Sequence, residues 1–117
     1  MSETAVEVHH QAEKLMGLGD LDRTDNAFVM YLQASSLEAK AYKLTTPEQV
    51  QSRNILAVSA TALAYKGGDY GQGIQFAKFY LKELGIDKEY REQLQEFLRL
   101  MEKAMERGSQ DLSGKTL

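Results

Sequence analysis

The chain has 117 residues, no cysteine and a formal net charge of −3. This length suits one domain that buries a single core without help from disulfides or metals. The lack of cysteine excludes disulfides, thiolate zinc sites and thiol catalysis. The negative net charge argues against nonspecific nucleic-acid binding, because such binding depends on Lys and Arg neutralising phosphates.

The N-terminal segment predicts neither secretion nor membrane insertion. Glu3 and Glu7 carry negative charge where a secretory signal peptide would carry positive charge. The longest nearly apolar run, residues 55–65, is broken by Ser59 and Thr61. It is much shorter than the ~20 residues that a membrane span needs. We therefore expect a cytoplasmic protein with no membrane partner.

Hydrophobic periodicity predicts two helices in the N-terminal part of the chain. Apolar residues recur every three or four positions over about residues 3–18. Gly17 and Gly19 interrupt this pattern, and Asp20 is placed to cap a second helix over about residues 21–44. The second helix carries apolar residues on two faces, which indicates that it has neighbours on both sides.

A central pair of helices is predicted on either side of the segment 66–70. The residues at 46–49, Thr-Pro-Glu-Gln, have the composition of a capping box, so a third helix is expected over about 47–66. A fourth helix follows the Gly-Gly-Asp turn and is expected to end at Gly85, a left-handed cap. Small side chains, which let a neighbouring helix approach closely, line one side of the third helix: Ala57, Ala60, Thr61 and Ala64.

The C-terminal part predicts one more helix and a tail. Over about residues 87–107 the apolar residues form a single stripe, which is typical of a helix that covers a surface. Residues 108–117 lack periodic apolar content and are predicted to be disordered. The predicted fold is therefore a single all-α domain over residues 1–107, with two stacked antiparallel helical hairpins and a C-terminal amphipathic capping helix.

An internal similarity supports the two hairpins. Gly19-Asp20-Leu21 aligns with Gly68-Asp69-Tyr70, 49 residues later. The second copy, with its Gly-Asp-Tyr turn followed by small and large residues, resembles the tetratricopeptide (TPR) motif. The match is degenerate, because TPR units repeat at about 34 residues and Gly73 stands where the family usually has Ala. The resemblance implies stacked hairpins that form a concave, peptide-binding groove.

This resemblance also implies which residues line the groove, since the first helix of each TPR hairpin faces it. Arg53 and Asn54 lie on the same predicted helix as several of these positions and can bind a carboxylate or a peptide backbone. The alternative is that all of these residues are ordinary exposed positions on helices. The predicted peptide-binding residues are His10, Glu13, Arg53, Asn54, Ser59, Ala62, Tyr65 and Lys66.

No pattern in the chain predicts catalysis, a metal or a cofactor. His9 and His10 are adjacent and no motif surrounds the serines, so a Ser-His-Asp triad is not predicted. Glu7 and His10 have the Glu-x-x-His spacing of dimetal helical bundles, but a second such pair is lacking. The glycine-rich segment 67–73 lacks the strand, Lys and Ser/Thr of a phosphate-binding loop.

Two functional hypotheses follow. The first is a non-enzymatic TPR-like adaptor that binds a protein or peptide. The second is a homodimerising helical bundle that acts in a regulatory pair. The chain resembles the HEPN domains, which are helical bundles of this kind, in its length and in its Gly-Asp turns between helices. Their nuclease members rely on an Arg and a His a few residues apart, and Arg53 has no such His, so this second hypothesis excludes nuclease activity.

Overall fold

The computed structural model describes residues 3–21, 26–83 and 85–115, with only the backbone at residues 3 and 109–115. Over these ranges the chain forms helices and no strand, which confirms the all-α class. Within them, no helix has both the length and the apolar character needed to traverse a bilayer. The helices are α1 (Glu3–Leu21), α2 (Asn26–Leu44), α3 (Val50–Lys66), α4 (Tyr70–Leu81) and α5 (Lys88–Lys115).

The helices form a flat stack with α3 at its centre. Each helix packs on the next one in the chain, and α3 also packs on α5. The Cα atoms of α1 and α3 do not approach within 8 Å of one another. The extents of 54 × 32 × 18 Å correspond to about two helix layers in the thinnest direction, since packed helices lie 8–10 Å apart.

One buried apolar cluster connects all of these helices. Burial of such side chains is the main favourable contribution to folding, at about 25 cal/mol per Å² of apolar surface. The largest apolar side chains that are completely buried are Leu56, Leu94 and Met101. The cluster contains Val8, Ala41, Tyr42, Leu56, Ala57, Ala60, Tyr80, Ile86 and Leu94.

Small side chains bring α2 and α3 into close contact. Ala34 and Ser35 on α2 are buried against α3. The Ser35 hydroxyl donates a hydrogen bond to the backbone carbonyl of Ala60, with an Oγ–O distance of 2.6 Å. A short side chain can reach a carbonyl inside another helix only where the two backbones are close. The side of α3 that is lined by small residues is therefore a packing surface. Its four small residues are all completely buried: Ala57, Ala60, Thr61 and Ala64.

The turn between α3 and α4 lies where the sequence predicts it. Gly68 has a φ of 81°, a left-handed conformation that glycine adopts without a steric penalty. The Asp69 carboxylate accepts a hydrogen bond from the backbone N–H of Gln72 at 3.1 Å. Asp69 therefore caps α4 by satisfying one of the N–H groups that have no partner within the helix.

Replacement of Asp69 by alanine removes this cap. We expect the free energy of unfolding to fall by about 1 kcal/mol, the usual cost of losing a side-chain cap. Urea denaturation followed by circular dichroism measures the change. Asp69→Asn keeps an oxygen acceptor and should lose much less, so equal losses in the two variants would contradict the capping role.

Two other helices come close to α4 at Gly73. A Cβ atom at this position would meet the Met101 sulfur of α5 and would lie 3.4 Å from the Ala64 Cβ of α3. Glycine in a helix interior costs about 1 kcal/mol relative to alanine. The absence of a side chain at Gly73 thus lets both α3 and α5 come close to α4, and α5 is the nearer neighbour.

The predicted boundary between α1 and α2 is wrong. α1 continues through Gly17 and Gly19 to Leu21, and α2 begins at Asn26 rather than at residue 21. A Cβ atom at Gly19 would lie only 2.9 Å from the Tyr31 ring, so this glycine permits close helix packing inside α1. Asp20 does not cap α2 and instead accepts a hydrogen bond from the Tyr31 hydroxyl at 2.6 Å. The two Gly-Asp segments are therefore not structurally equivalent.

The predicted capping box before α3 is also wrong. The N–H of Gln49 donates to the carbonyl of Thr46 at 3.0 Å, which closes a β-turn with Pro47 and Glu48 at its centre. Gln49 is the N-cap of a helix that begins at Val50, and its side chain makes no capping hydrogen bond. Proline favours both the first helical position and the second position of a β-turn. The local sequence therefore fits both structures.

α4 ends before the residue that the sequence predicts. Its last residue is Leu81, whose carbonyl accepts a hydrogen bond from the Arg91 guanidinium of α5 at 3.0 Å. This bond satisfies one of the carbonyls that have no partner at a helix C-terminus. Gly85 has the predicted left-handed conformation, with a φ of 88°, but it lies in the connection to α5.

α5 is longer than the sequence predicts. It continues to Lys115, past the predicted end at residue 107 and through most of the segment 108–117, which was predicted to be disordered. The only proline of the chain is Pro47, so no proline follows residue 107 to terminate the helix. Residues 116 and 117 lie outside the described residues.

Candidate functional site

A cavity of about 210 Å³ lies where the start of α3 meets the end of α2 and the connection between α4 and α5. At ~30 Å³ per water molecule in the liquid, this is space for about seven waters or for one side chain of a partner. Polar residues and apolar residues both contribute to its walls. The lining residues are Tyr42, Pro47, Val50, Arg53, Asn54, Glu83, Gly85 and Ile86.

Arg53 is the only cation among the lining residues. Its guanidinium lies over the Tyr42 ring, 4.3 Å from the centroid. This is a cation–π contact, in which the negative face of the ring attracts the positive charge. A nitrogen of the guanidinium is 3.8 Å from a Glu83 carboxylate oxygen. That distance exceeds the 2.7–3.2 Å of a good hydrogen bond. The pair is therefore loose, and the Arg53 N–H groups can still bind a ligand oxygen.

Asn54 lies beside Arg53 and is 1% exposed. Neither its side-chain nitrogen nor its side-chain oxygen has a hydrogen-bond partner among the described residues. A buried polar group without a partner costs about 1–3 kcal/mol. Both amide atoms are closed off from solvent, so a molecule in the cavity lies beside this residue without reaching its amide.

The tyrosines near the cavity are neutral at physiological pH. Burial raises the pKa of Tyr42, and the Arg53 guanidinium opposes this effect. Burial also raises the pKa of Tyr80, whose ring lies 4.7 Å from that of Tyr42, centroid to centroid. The formal charges of the lining residues are therefore one positive charge on Arg53 and one negative charge on Glu83.

The remaining predicted peptide-binding residues lie outside this cavity. Tyr65 packs against the rings of Tyr70 and Phe97, with centroid distances of 5.9 and 5.8 Å. Lys66 lies at the opposite end of α3, where its ammonium is 3.8 Å from an Asp20 carboxylate oxygen. Tyr65 thus contributes to packing between helices, and Lys66 belongs to the surface near the α1–α2 junction.

A second polar cluster surrounds Glu38, which is completely buried on α2. Its Oε1 is 2.7 Å from His9 Nδ1, while His9 Nε2 is 3.2 Å from a Glu13 carboxylate oxygen. Its Oε2 has no hydrogen-bond partner among the described residues. Burial raises the pKa of Glu38, and His9 followed by Ser59 opposes this shift. Glu13 and Ser59 thus lie at this cluster, whereas His10 is exposed and Ala62 is half-buried elsewhere.

Sequence reasoning identified Arg53 and Asn54 but missed the partners of Arg53. Tyr42 and Glu83 come from segments that the predicted groove does not include, and nothing local marks them as neighbours of Arg53. The position of Glu38 could have been recognised from the sequence, because Glu38 lies on the same helix face as two alanines. Ala34 precedes it by four residues and Ala41 follows it by three, and both are buried. A charged residue on an apolar helix face indicates a buried polar contact.

Comparison with known proteins identifies no relative of the chain. No family model matches the chain, and no curated protein or solved structure is similar to it at a significant level. The resemblance to TPR units therefore stays a prediction, and function is inferred from the residues of the cavity and the surface.

Proposed function

We propose that the protein is a non-enzymatic TPR-like interaction module that binds a peptide segment of a protein partner. The cavity with Arg53 and Asn54 is the anchor for that segment. The single observation that carries this function is the cavity wall at Arg53 and Asn54, because the guanidinium is only loosely paired and the neighbouring amide is buried without a partner among the described residues. A purely structural asparagine in a helix would pair with a neighbouring group or point into water.

The shape of the cavity favours one inserted side chain rather than a folded surface. Val50 and Ile86 provide apolar walls for the methylene groups of a side chain, while the Arg53 guanidinium binds its polar end. A volume of about 210 Å³ holds a single side chain, whereas two folded domains in stable contact bury about 1,600 Å² of surface. The partner therefore presents an extended or looped segment that places a single residue in the cavity.

Asn54→Leu separates this function from a structural role. Leucine removes the unpaired amide, so we expect the free energy of unfolding to rise by about 1 kcal/mol. Peptides selected from a displayed random library on the wild-type protein should bind the variant at least about tenfold more weakly, a loss of about 1.4 kcal/mol. Urea denaturation measures the first effect, and fluorescence anisotropy with the selected peptides measures the second.

Gln95→Leu is the matched control, because it replaces an exposed amide on α5 by the same side chain. This control should change neither stability nor affinity by a measurable amount. Selected peptides that bind Asn54→Leu with unchanged affinity would show that the cavity is not their site. A loss of stability in Asn54→Leu would show that the amide has a partner in the folded protein.

Homodimerisation is a second candidate function, because apolar side chains are exposed where α1 and α2 are joined. Leu21 is 81% exposed, and Leu18, Phe28 and Val29 are each about half exposed. Contiguous exposed apolar surface marks interaction sites in soluble proteins. A second copy of the chain that packs on these residues would extend the helical stack.

Phe28→Glu tests this second function. If two copies pack through these residues, a charge at Phe28 should convert a dimer into a monomer, because an unpaired buried charge is costly. Multi-angle light scattering over a range of concentrations measures the mass of both proteins. Lys40→Glu, an exposed residue on the same helix, is the control. A wild-type protein that is monomeric at all concentrations would exclude this function.

A further inference from the structure

An aromatic groove lies between α2 and α4. The Cα atoms of these two helices do not approach within 8 Å of one another, and each of them packs on α3. The space left between their side chains has a volume of about 350 Å³, which lies within the ~300–1,000 Å³ of typical binding pockets. The aromatic residues that line this α2–α4 groove are Tyr42, Phe76, Phe79 and Tyr80.

These four rings pack on one another and leave one of them available to a partner. Tyr42 and Tyr80 are buried, with their ring centroids 4.7 Å apart. Phe76 stacks on Tyr80 with a centroid distance of 5.9 Å. Phe79 also contacts the Tyr80 ring, yet it is 53% exposed. Because covering exposed apolar surface is favourable, an aromatic or large aliphatic side chain of a partner fits beside Phe79.

The charges on the two helices indicate the character of the partner. Lys43 lines the groove, and the other exposed charged residues of α2 and α4 are Lys40 and Lys78. The only acidic residue on either helix is Glu38, which is completely buried. The two helices therefore present lysines and no exposed acid, on a chain whose net charge is −3. Complementary charge favours a partner segment that contains Asp or Glu.

A nucleic acid fits these features less well than an acidic peptide does. Single strands bind by stacking successive bases on aromatic rings, and Phe79 is the one exposed ring of the four. Glu89, Glu92 and Glu96 are exposed on α5, which packs on α4. These carboxylates repel a long polyanion, whereas a short acidic segment can stay within the groove.

We infer that the α2–α4 groove binds an acidic segment of the partner that carries an aromatic or large aliphatic side chain. Tyr42 lines both this groove and the cavity beside Arg53, so the two are contiguous. The inference rests on the proposed function, since it specifies the residues that flank the one in the cavity. The apolar side chain of the segment covers Phe79, and its carboxylates lie near Lys43.

Three pentapeptides test the inference. The full-length, ¹⁵N-labelled protein is titrated with acetyl-Asp-Glu-Phe-Glu-Asp-amide at neutral pH. Its neutral analogue, acetyl-Asn-Gln-Phe-Gln-Asn-amide, and its alanine analogue, acetyl-Asp-Glu-Ala-Glu-Asp-amide, are titrated separately. We expect the acidic phenylalanine peptide to shift the backbone amide resonances of Phe76 and Phe79. It should bind at least about fivefold more tightly than either analogue.

Two variants connect this binding to the groove, while their amide spectra report an intact fold. Phe79→Ser and Lys43→Glu should each weaken binding of the acidic phenylalanine peptide at least about fivefold. Lys43→Glu should affect the neutral analogue much less, because this variant changes charge. Met105→Ser and Lys103→Glu, at exposed positions of α5, are the matched controls and should leave the affinities unchanged.

Equal affinities for the acidic peptide and either analogue would overturn the inferred composition of the segment. The absence of shifts at Phe76 and Phe79 would overturn the groove as its site. Tighter binding of single-stranded oligo(dT) than of the acidic peptide would overturn the choice of a peptide over a nucleic acid.

Arg53→Gln separates this inference from the proposed function, because it removes the cation of the cavity and leaves the groove lysines in place. Peptides from the displayed library that lose affinity in Arg53→Gln but not in Phe79→Ser would refute the groove and support the cavity as the anchor. Peptides that lose affinity in Phe79→Ser but not in Arg53→Gln would support the groove and refute the cavity as the anchor.

Discussion

Replacement of Ala60 by leucine should lower the free energy of unfolding by about 3 kcal/mol. Ala60 is completely buried on the side of α3 that contacts α2, and its carbonyl accepts the hydrogen bond from Ser35. A leucine side chain has no space between the two helices. The helices must separate to accommodate it, which breaks the Ser35 hydrogen bond and loosens the packing of Ala34 and other small residues along the interface.

Ala62→Leu provides the matched control for this prediction. Ala62 is on the same helix and only partly buried, so the same added volume extends toward solvent. Its effect should stay within about 0.5 kcal/mol. Urea denaturation of both variants, monitored by circular dichroism at one protein concentration, gives the comparison. Similar losses at positions 60 and 62 would mean that the α2–α3 contact is not as tight as the burial of Ala60 indicates.

Removal of the His9 side chain should cost about 2 kcal/mol at neutral pH, because it leaves the buried carboxylate of Glu38 without its hydrogen-bond partner. Glu38 Oε1 is 2.7 Å from His9 Nδ1, and its other oxygen already lacks a partner among the described residues. In His9→Ala the carboxyl must either stay charged without a partner or take up a proton. Both alternatives cost free energy.

His10→Ala is the control for this prediction, since His10 is the exposed neighbour of His9. It should leave the free energy of unfolding almost unchanged. The double variant His9→Ala/Glu38→Gln should recover part of the stability lost in His9→Ala, because the buried charge is then absent. Additive losses in the double variant would show that His9 and Glu38 do not interact in the folded protein.

The same cluster makes stability depend on pH. Burial raises the pKa of Glu38 above 4.5, so the folded protein holds this proton more tightly than the unfolded chain. The stability that the protonated carboxyl contributes is fully present below pH 4.5 and is lost as the pH rises through the raised pKa. His9 and Ser59 oppose the shift, while the charge of Glu13 adds to it.

Comparison with Glu38→Gln isolates this contribution, because glutamine does not titrate. We expect the wild-type protein to lose free energy of unfolding relative to this variant as the pH rises from 4.5 to neutral. Urea denaturation of the two proteins across this range measures the difference. A difference that is constant with pH would mean that Glu38 has the same pKa in the folded and unfolded states.

Local sequence signals predicted the elements whose stabilising contacts are themselves local. The Gly68-Asp69 turn is one example, since the left-handed glycine and the capping carboxylate act within a few residues of each other. The same kind of signal was wrong at Asp20 and at Pro47. At Asp20 the contact with Tyr31 decided the structure, and at Pro47 a β-turn competed with a helix start.

The candidate site was only half predictable for a related reason. Arg53 and Asn54 were identified because they lie on a predicted helix near an expected groove. The partners of Arg53 are Tyr42 and Glu83, which lie far from it along the chain. They reach the cavity only when α2 and the connection between α4 and α5 pack around α3. The prediction that Tyr65 and Lys66 share a site with Arg53 came from the resemblance to TPR units, which does not specify which neighbours each face of α3 meets in this chain.

Residue spacing and turn residues suffice to predict an all-helical chain, a side of α3 lined by small residues and a helix that follows the Gly68-Asp69 turn, because these signals act over a few residues. The packing of the helices, in contrast, places Asn54 in the wall of a cavity without a partner for its amide and buries Glu38 against His9. Burial removes water from both groups, and whether a polar group keeps a partner depends on helices that are distant in sequence.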